Sequence, residues 1–526
     1  MNVYLRPDVV LEPLFNRWLV DGNLIPPIQA ALTLVHSHLA VLRSYLANPA
    51  VHFEASQDLT LAGGPVAAVD PSRVDEMKAL LEKTERENGD LIEIAAAVKA
   101  LDTVLNAETS GLSLDATYHK VPPILQGYVE LTYDMQHRTA ARFLEGLLYR
   151  SPFYKPQAQS LMLCRATGDV RAFGYSTPRL PDAGRHFLAM PFADPRVDAL
   201  AALRHTPAPL ATLVDRFEVA AAERTTFEGL FTDVAPPPRA AFAGPGARVR
   251  YFGHAALLVE GDGRAVLVDP TLGYAHGQGM PRYSFADLPA RIDAVLITHG
   301  HADHLSIEAL LQLRHRVDQV IVARSGTRVV DPSLESMLRV IGFANVRAVD
   351  EMDEVRLGPD QVITALPFLG EHGDLDIRAK STYAIRLGGA TVVAAADAAG
   401  MEPRVYELAR RELGTIDALF LAMEPHGAPL TWGYGPLFVK TPTRKMDQSR
   451  RQRAASQDET VAMLKVLHPK RFFNYAMGQE PWLTHVMALK YTDASPQIVQ
   501  SNQLLEHCRA KGIPAERPLG RLELTL

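Results

Sequence analysis

Thr298-His299-Gly300-His301-Ala302-Asp303-His304, a T-H-x-H-x-D-H string, follows directly on the apolar run Ala294-Val295-Leu296-Ile297. In an extended loop His299 and His301 point the same way and can share one metal ion. Asp303 and His304, turning into the next helix, reach a second ion beside it. With 18 His in 526 residues, these four groups at these spacings arise by chance in roughly one such chain in a thousand. A polar loop of hydrogen-bonded histidines is the alternative, and it would require no fixed spacing.

Working outward, Val249 to Val259, the turn Gly261-Asp262-Gly263 and Ala265 to Val268 read as a strand, a tight turn and a second strand ending in Asp269-Pro270. Downstream, Val362 to Leu369 is an apolar strand leading into Gly370-Glu371-His372-Gly373-Asp374, and Ala390 to Ala396 is another ending in Asp397. Each candidate ligand follows a strand, where a sheet can hold loop groups in place. A carboxylate such as Asp397, preceded by small and apolar residues, needs a strong partner, and a bridging position between two cations provides one. The competing reading is a helix cap worth about 1 kcal/mol. Glu371 and His372 are neighbours that point opposite ways in an extended loop, so the residues alone leave open which of them is a ligand. Asp269 and His254 are expected behind the ligands, Asp269 accepting from an imidazole N–H and His254 orienting the same loop. His426 and His485 lie in segments that can approach the cluster, and a hydrogen-bonded structural role is expected for both.

The order strand-Asp269, T-H-x-H-x-D-H, an acid or imidazole after a later strand, and then Asp397 resembles the metallo-β-lactamase fold superfamily, an αββα sandwich with a dinuclear metal site. Hydrolases of that superfamily place a His after the later strand and another near the end of the chain. Here the first position offers Glu371 or His372, and the late strand Arg471 to Gly478 has no His. With these departures and a long N-terminal region that opens Arg6-Pro7-Asp8-Val9-Val10-Leu11-Glu12-Pro13, the chain resembles the CmlA-type di-iron aminoacyl β-hydroxylases of nonribosomal peptide and antibiotic biosynthesis along its full length. The resemblance implies His299, His301, Asp303, His304, Glu371 and Asp397 as metal ligands, with Glu371 and Asp397 the catalytic carboxylates. Three imidazoles with three carboxylates make a harder, more anionic set than a His-rich zinc site, which suits iron. The implied enzyme is a monooxygenase with two Fe ions, oxo- or hydroxo-bridged, and O2 as co-substrate. It would β-hydroxylate an amino acid held as a thioester on a peptidyl-carrier domain. The rival reading is a dinuclear zinc hydrolase of the same fold, acting on a lactone, thioester or phosphodiester. No NAD or flavin fingerprint is visible, so an external electron donor is expected.

The expected fold class is α+β, with an N-terminal mixed α/β domain at 1–234, a Pro/Gly-rich linker at 235–247 (Ala235-Pro236-Pro237-Pro238, then Gly244-Pro245-Gly246), and the metallo-β-lactamase-type sandwich at 248–526. The N-terminal domain is assigned to carrier docking or homodimer formation. In it, Pro27 to Leu46 and Pro71 to Leu105 show helical periodicity, Asp70 caps the second helix, and Gln159 to Cys164 and Val170 to Tyr175 read as strands. His36 and His38 lack metal spacing. Net charge is −6, from 54 Lys+Arg against 60 Asp+Glu, which points away from nucleic acid. The two cysteines, Cys164 and Cys508, suggest no disulfide framework. No apolar run is long enough to span a membrane and the N-terminus lacks a signal pattern, so a cytoplasmic protein is expected. Lys440 to Arg453 holds six basic residues and one acid, which reads either as a solvated loop or as one that steers an anionic carrier.

Overall fold

The strand Ala294–Ile297 shows how the sandwich is built. Ala294 and Leu296 turn inward against the opposite sheet, while Val295 and Ile297 face outward under helices, so both sides of the strand are buried and the run is continuously apolar. The same alternation recurs in Leu257–Gly261, where Leu257 and Val259 face inward and Leu258 outward, and in Ala390–Ala394. These features come from a computed structural model that describes residues 1–238 and 241–526. Arg239 and Ala240 of the expected linker lie outside the described residues.

Two seven-stranded sheets face one another. In spatial order the first contains Val346–Val349, Val320–Ala323, Ala294–Ile297, Arg264–Val268, Leu257–Gly261, Arg248–Tyr251 and Leu522–Thr525. The second contains Glu354–Arg356, Val362–Leu366, Thr382–Leu387, Ala390–Ala394, Ala418–Ala422, Phe472–Tyr475 and Ala515–Glu516. Val266, Val268, Leu296 and Ile321 of the first meet Ile385, Val392, Phe420 and Tyr475 of the second in the central core. Helices Pro403–Leu413, Gln457–Leu467 and Pro496–Ala510 cover the second sheet's outer face. The arrangement is αββα, and the chain as a whole is α+β. Arg264–Val268 and Ala294–Ile297 run parallel, as do Ala390–Ala394 and Ala418–Ala422, so the loops carrying Asp269, the His string and Asp397 leave from the carboxyl ends of parallel strands. That is where open α/β sheets habitually gather ligand groups.

The N-terminal region contributes an antiparallel sheet of Trp18–Leu19, Val9–Phe15, Gln159–Arg165 and Arg185–Leu188, with helices packed against it. Its core is continuous with the outer face of the first sandwich sheet: Val9, Leu11 and Leu163 belong to the same apolar cluster as Val295, Ile297, Leu310 and Leu311.

Three expectations are corrected. Val249 to Val259 forms two strands, Arg248–Tyr251 and Leu257–Gly261, because the chain reverses at Gly253 (φ 104°) and His254 (φ 51°). The helix expected over Pro71 to Leu105 divides into Val74–Glu87 and Gly89–Ala107, since Asn88 leaves helical geometry and turns its side-chain amide onto the Thr84 carbonyl. Asp70 does cap the entry, accepting from the Ser72 N–H. Val170 to Tyr175 is not a strand. Gly174 there lies so close to Leu19 that an added Cβ would sit 2.3 Å from its Cδ2, and its N–H pairs with the His485 carbonyl instead of a sheet neighbour.

Candidate metal centre

The His string is shaped by its backbone. His304 and Leu305 N–H groups both return to the His301 carbonyl, closing a turn, and Ser306 then caps helix Ile307–Leu313 through the Ala309 N–H. Opposite, the second sheet is tied to the same point: Ser381 N–H donates to the Thr298 carbonyl and the Tyr383 hydroxyl to that of Ile297. Glu371 (φ 68°), Ala396 (φ 43°), Asp269 (φ 41°) and His254 (φ 51°) all hold left-handed backbone. Such residues cost of order 1–3 kcal/mol each and collect at functional sites.

Six side chains converge in overlapping groups. His299, His301 and Glu371 form one set, and His299, His304 and Asp397 another; in each, the ligand atoms lie within 4.8 Å of one another. Asp303 and His304 join His254 in a third. His304 Nε2 is 3.1 Å from Asp397 Oδ2 and 3.7 Å from Asp303 Oδ2, while His301 Nδ1 is 2.9 Å from Glu371 Oε1. His299 Nε2 and His304 Nε2 are buried and have no hydrogen-bond partner among the described residues. Orphaned buried imidazole nitrogens facing carboxylates fit metal cations, which would satisfy both.

Hydrogen bonds behind the cluster fix the tautomers. Asp269, fully buried, accepts from the Thr298 N–H (2.8 Å), the Thr298 hydroxyl (2.6 Å) and His304 Nδ1–H (2.8 Å). With its proton committed to Asp269, the Thr298 oxygen accepts from His299 Nδ1–H at 3.1 Å. Both Nε2 lone pairs are thereby left for a metal, as expected of such supporting groups. His254 has the spacing of a ligand, but the Gly478 N–H donates to its Nδ1 at 3.2 Å, which leaves Nε2 protonated and donating to Asp303 Oδ2 at 3.0 Å. His254 therefore positions Asp303.

Charge in the cluster is poised for cations. Burial alone would lower the His304 imidazole, yet Asp397, Asp303 and Asp269 raise it well above its ordinary range. Burial, with the neighbouring imidazoles of His304 and His301, pushes His299 well below it. Burial raises the Glu371 carboxyl, whereas Asp303 is held below the usual carboxylate range by His304 and His254 despite its burial. Three carboxylates beside three imidazoles make a donor set that a cation stabilises where a proton now does so in part.

The Tyr434 hydroxyl had no sequence signal. It lies 2.8 Å from His301 Nε2 and 2.6 Å from His372 Nδ1, from a segment more than a hundred residues beyond the string. His485 stands in a buried network with Arg171, Glu308 and Glu12, where Arg171 Nη1 reaches Glu308 at 3.0 Å and Glu12 at 2.8 Å. His426 is exposed, and the hydrogen bonds found for it among the described residues run through its backbone, not the side chain expected to make them: its N–H donates to Glu424 and its carbonyl accepts from Arg451. His38 stacks on Trp18 with ring centroids 4.1 Å apart, and His36 bonds the Pro436 carbonyl. Part of the basic stretch is structural: Arg450 donates to the Gly373 carbonyl, Arg451 to that of Gly427, and Arg453 pairs with Glu459. Lys440, Arg444 and Lys445 remain exposed.

Fold and site together define a metal-dependent protein of metallo-β-lactamase architecture with a carboxylate-rich centre. The family described as "Diiron non-heme beta-hydroxylase N-terminal domain" matches residues 4–236, and a beta-lactamase superfamily domain matches residues 264–473. Over 98% of both chains the protein is 36% identical to the 4-amino-L-phenylalanyl-[CmlP-peptidyl-carrier-protein] 3-hydroxylase of Streptomyces venezuelae. The crystal structure of CmlA, a diiron β-hydroxylase from Streptomyces venezuelae, superposes with a TM-score of 0.94 at 35% identity, each chain covered completely. Similarity to a UPF0173 metal-dependent hydrolase of Bacillus cereus, 32% identical, is confined to 14% of this chain and 30% of that protein. The chain belongs to the CmlA-type di-iron β-hydroxylases, and it is an oxygenase rather than a hydrolase. No helix among the described residues is long and apolar enough to cross a membrane.

Proposed function

We propose that His299, His301, Asp303, His304, Glu371 and Asp397 would hold the two irons, and that the substrate is an amino acid carried as a thioester on a peptidyl-carrier domain. The observation that carries this reading is the approach of Glu371, rather than His372, to Nδ1 of His301. It makes the donor set oxygen-rich, which favours iron over zinc. When bound, the iron pair supplies the oxidising power to hydroxylate an unactivated β-carbon with O2 and electrons from an external donor. The chain's own residues orient and shield. Asp269, Thr298 and His254 fix ligand geometry, and buried side chains exclude water.

The division into 1–234, a linker at 235–247 and a catalytic unit at 248–526 belongs to the same reading. Support comes from the N-terminal region's reach toward the site: Tyr175 is half-buried, and burial, Asp21 and then Asp303 raise its phenol well above the usual range. Carrier docking or homodimer formation is the role assigned to the rest of that region. The test is single turnover of the chemically reduced protein with carrier-loaded amino acid under isotopically labelled dioxygen. One labelled oxygen atom at the β-carbon of an intact thioester is expected. Release of free amino acid bearing oxygen from water would support the hydrolase instead.

A further inference from the structure

His372 is 2% exposed and sits beside the cluster, its ring centroid 4.7 Å from that of His301 and 5.4 Å from that of His299. Its Nδ1 meets the Tyr434 hydroxyl, while its Nε2 is buried without a hydrogen-bond partner among the described residues. The neighbouring bonds decide where the protons lie. A metal at His301 Nδ1, the atom facing Glu371, leaves the proton on His301 Nε2, which must then donate to the Tyr434 oxygen at 2.8 Å. Tyr434 has one proton, and it goes to its other partner, His372 Nδ1, at 2.6 Å. His372 is thereby fixed as the tautomer with hydrogen on Nε2.

We infer that Tyr434 is a positioning residue that couples the ligand His301 to His372, and that the spare Nε2–H of His372 is a hydrogen-bond donor to an exogenous anion or carbonyl oxygen bound at the cluster. A buried donor without an acceptor is costly, so a site that retains one is suited to a ligand that completes it. The direction of the relay matters, because it gives His372 a role that is neither that of a metal ligand nor that of packing. Arg450, donating to the Gly373 carbonyl at 2.8 Å, holds the Glu371–Gly373 loop that presents the ring. The inference rests on the ligand set proposed above.

The probe is azide, titrated optically into oxidised, iron-loaded protein, with iron counted in the same samples. His372→Leu should keep the parent's iron and bind azide about tenfold more weakly, the scale of one hydrogen bond to an anion. His372→Gln, whose amide can present an N–H near the same place, should recover part of that loss. Tyr434→Phe should weaken azide binding in the same direction and shift the optical bands of the cluster. In the double variant the losses should not add, because the two residues act in series. Iron loss in His372→Leu would make His372 a ligand and overturn the inference, as would unchanged azide affinity or fully additive losses. The parent's iron count reports on the ligand set and the azide affinities on the relay, so the two fail separately.

Discussion

His304 Nδ1 lies 2.8 Å from Asp269 Oδ2, with both side chains withdrawn from solvent, on the loops that follow two neighbouring parallel strands. This contact aims His304 Nε2 at Asp397 and Asp303. In Asp269→Asn the amide N–H faces either the Thr298 N–H or His304 Nδ1–H, so a donor is stranded or the imidazole changes tautomer. We expect metal affinity to fall by roughly 10–100-fold, read as iron retained per chain after dialysis against a chelator. Undiminished retention would show that Asp269 does not set the tautomer.

Glu371 and His372 separate the two ligand patterns. Glu371→Ala is expected to abolish hydroxylation and lower the iron content, while His372→Ala keeps iron near that of the parent. Metal analysis of both variants checks this. Iron loss in His372→Ala alone would restore the hydrolase-like ligand pattern.

Arg171 lies between Glu12 and Glu308 and, with Arg204, which donates to Gln312, ties the N-terminal region to the helix that follows the His string. Arg171→Met leaves both carboxylates short of a counter-charge. Breaking a buried pair in this way costs on the order of 3–5 kcal/mol. A lower denaturant midpoint is expected, and an unchanged one would mean that Arg179 and His485 suffice.

Glu145 carries a pH dependence. Its carboxylate accepts from the Ser333 N–H at 3.0 Å, and burial, reinforced by Asp331, pushes it up to about 7 from an ordinary 4.5. Because the folded state holds this proton more tightly, its stabilising contribution is complete below the unfolded value and is lost as pH rises from about 4.5 to about 7. The loss amounts to roughly 3 kcal/mol. Glu145→Gln should flatten that part of the stability profile and be the more stable protein at pH 8, as measured by urea unfolding at several pH values.

The sandwich and its ligand loops were legible because they rest on short-range patterns. Ala294 to Ile297 had to be a strand buried on both faces, and the His spacing followed it at once. Asp269 was foreseen as support because it ends the preceding strand. The reversal at His254 was not, since His gives no warning of a positive φ. Nor was the path of Val170 to Tyr175, whose apolar residues read as a strand until Arg171 and Gly174 were drawn into contacts with residues far along the chain. Tyr434 was silent for the same reason: its partners lie more than sixty residues away, and no local period marks it. Arg450, Arg451 and Arg453 read as free charge, whereas the fold engages them with carbonyls and Glu459.

An oxygenase that takes its amino acid from a carrier must distinguish the loaded from the free substrate. Turnover of one amino acid, free and loaded on its carrier domain, at matched concentration and with the same reductant, tests it most directly. Hydroxylation of the carrier-bound form is expected, with little of the free one. Comparable rates for the two would contradict it.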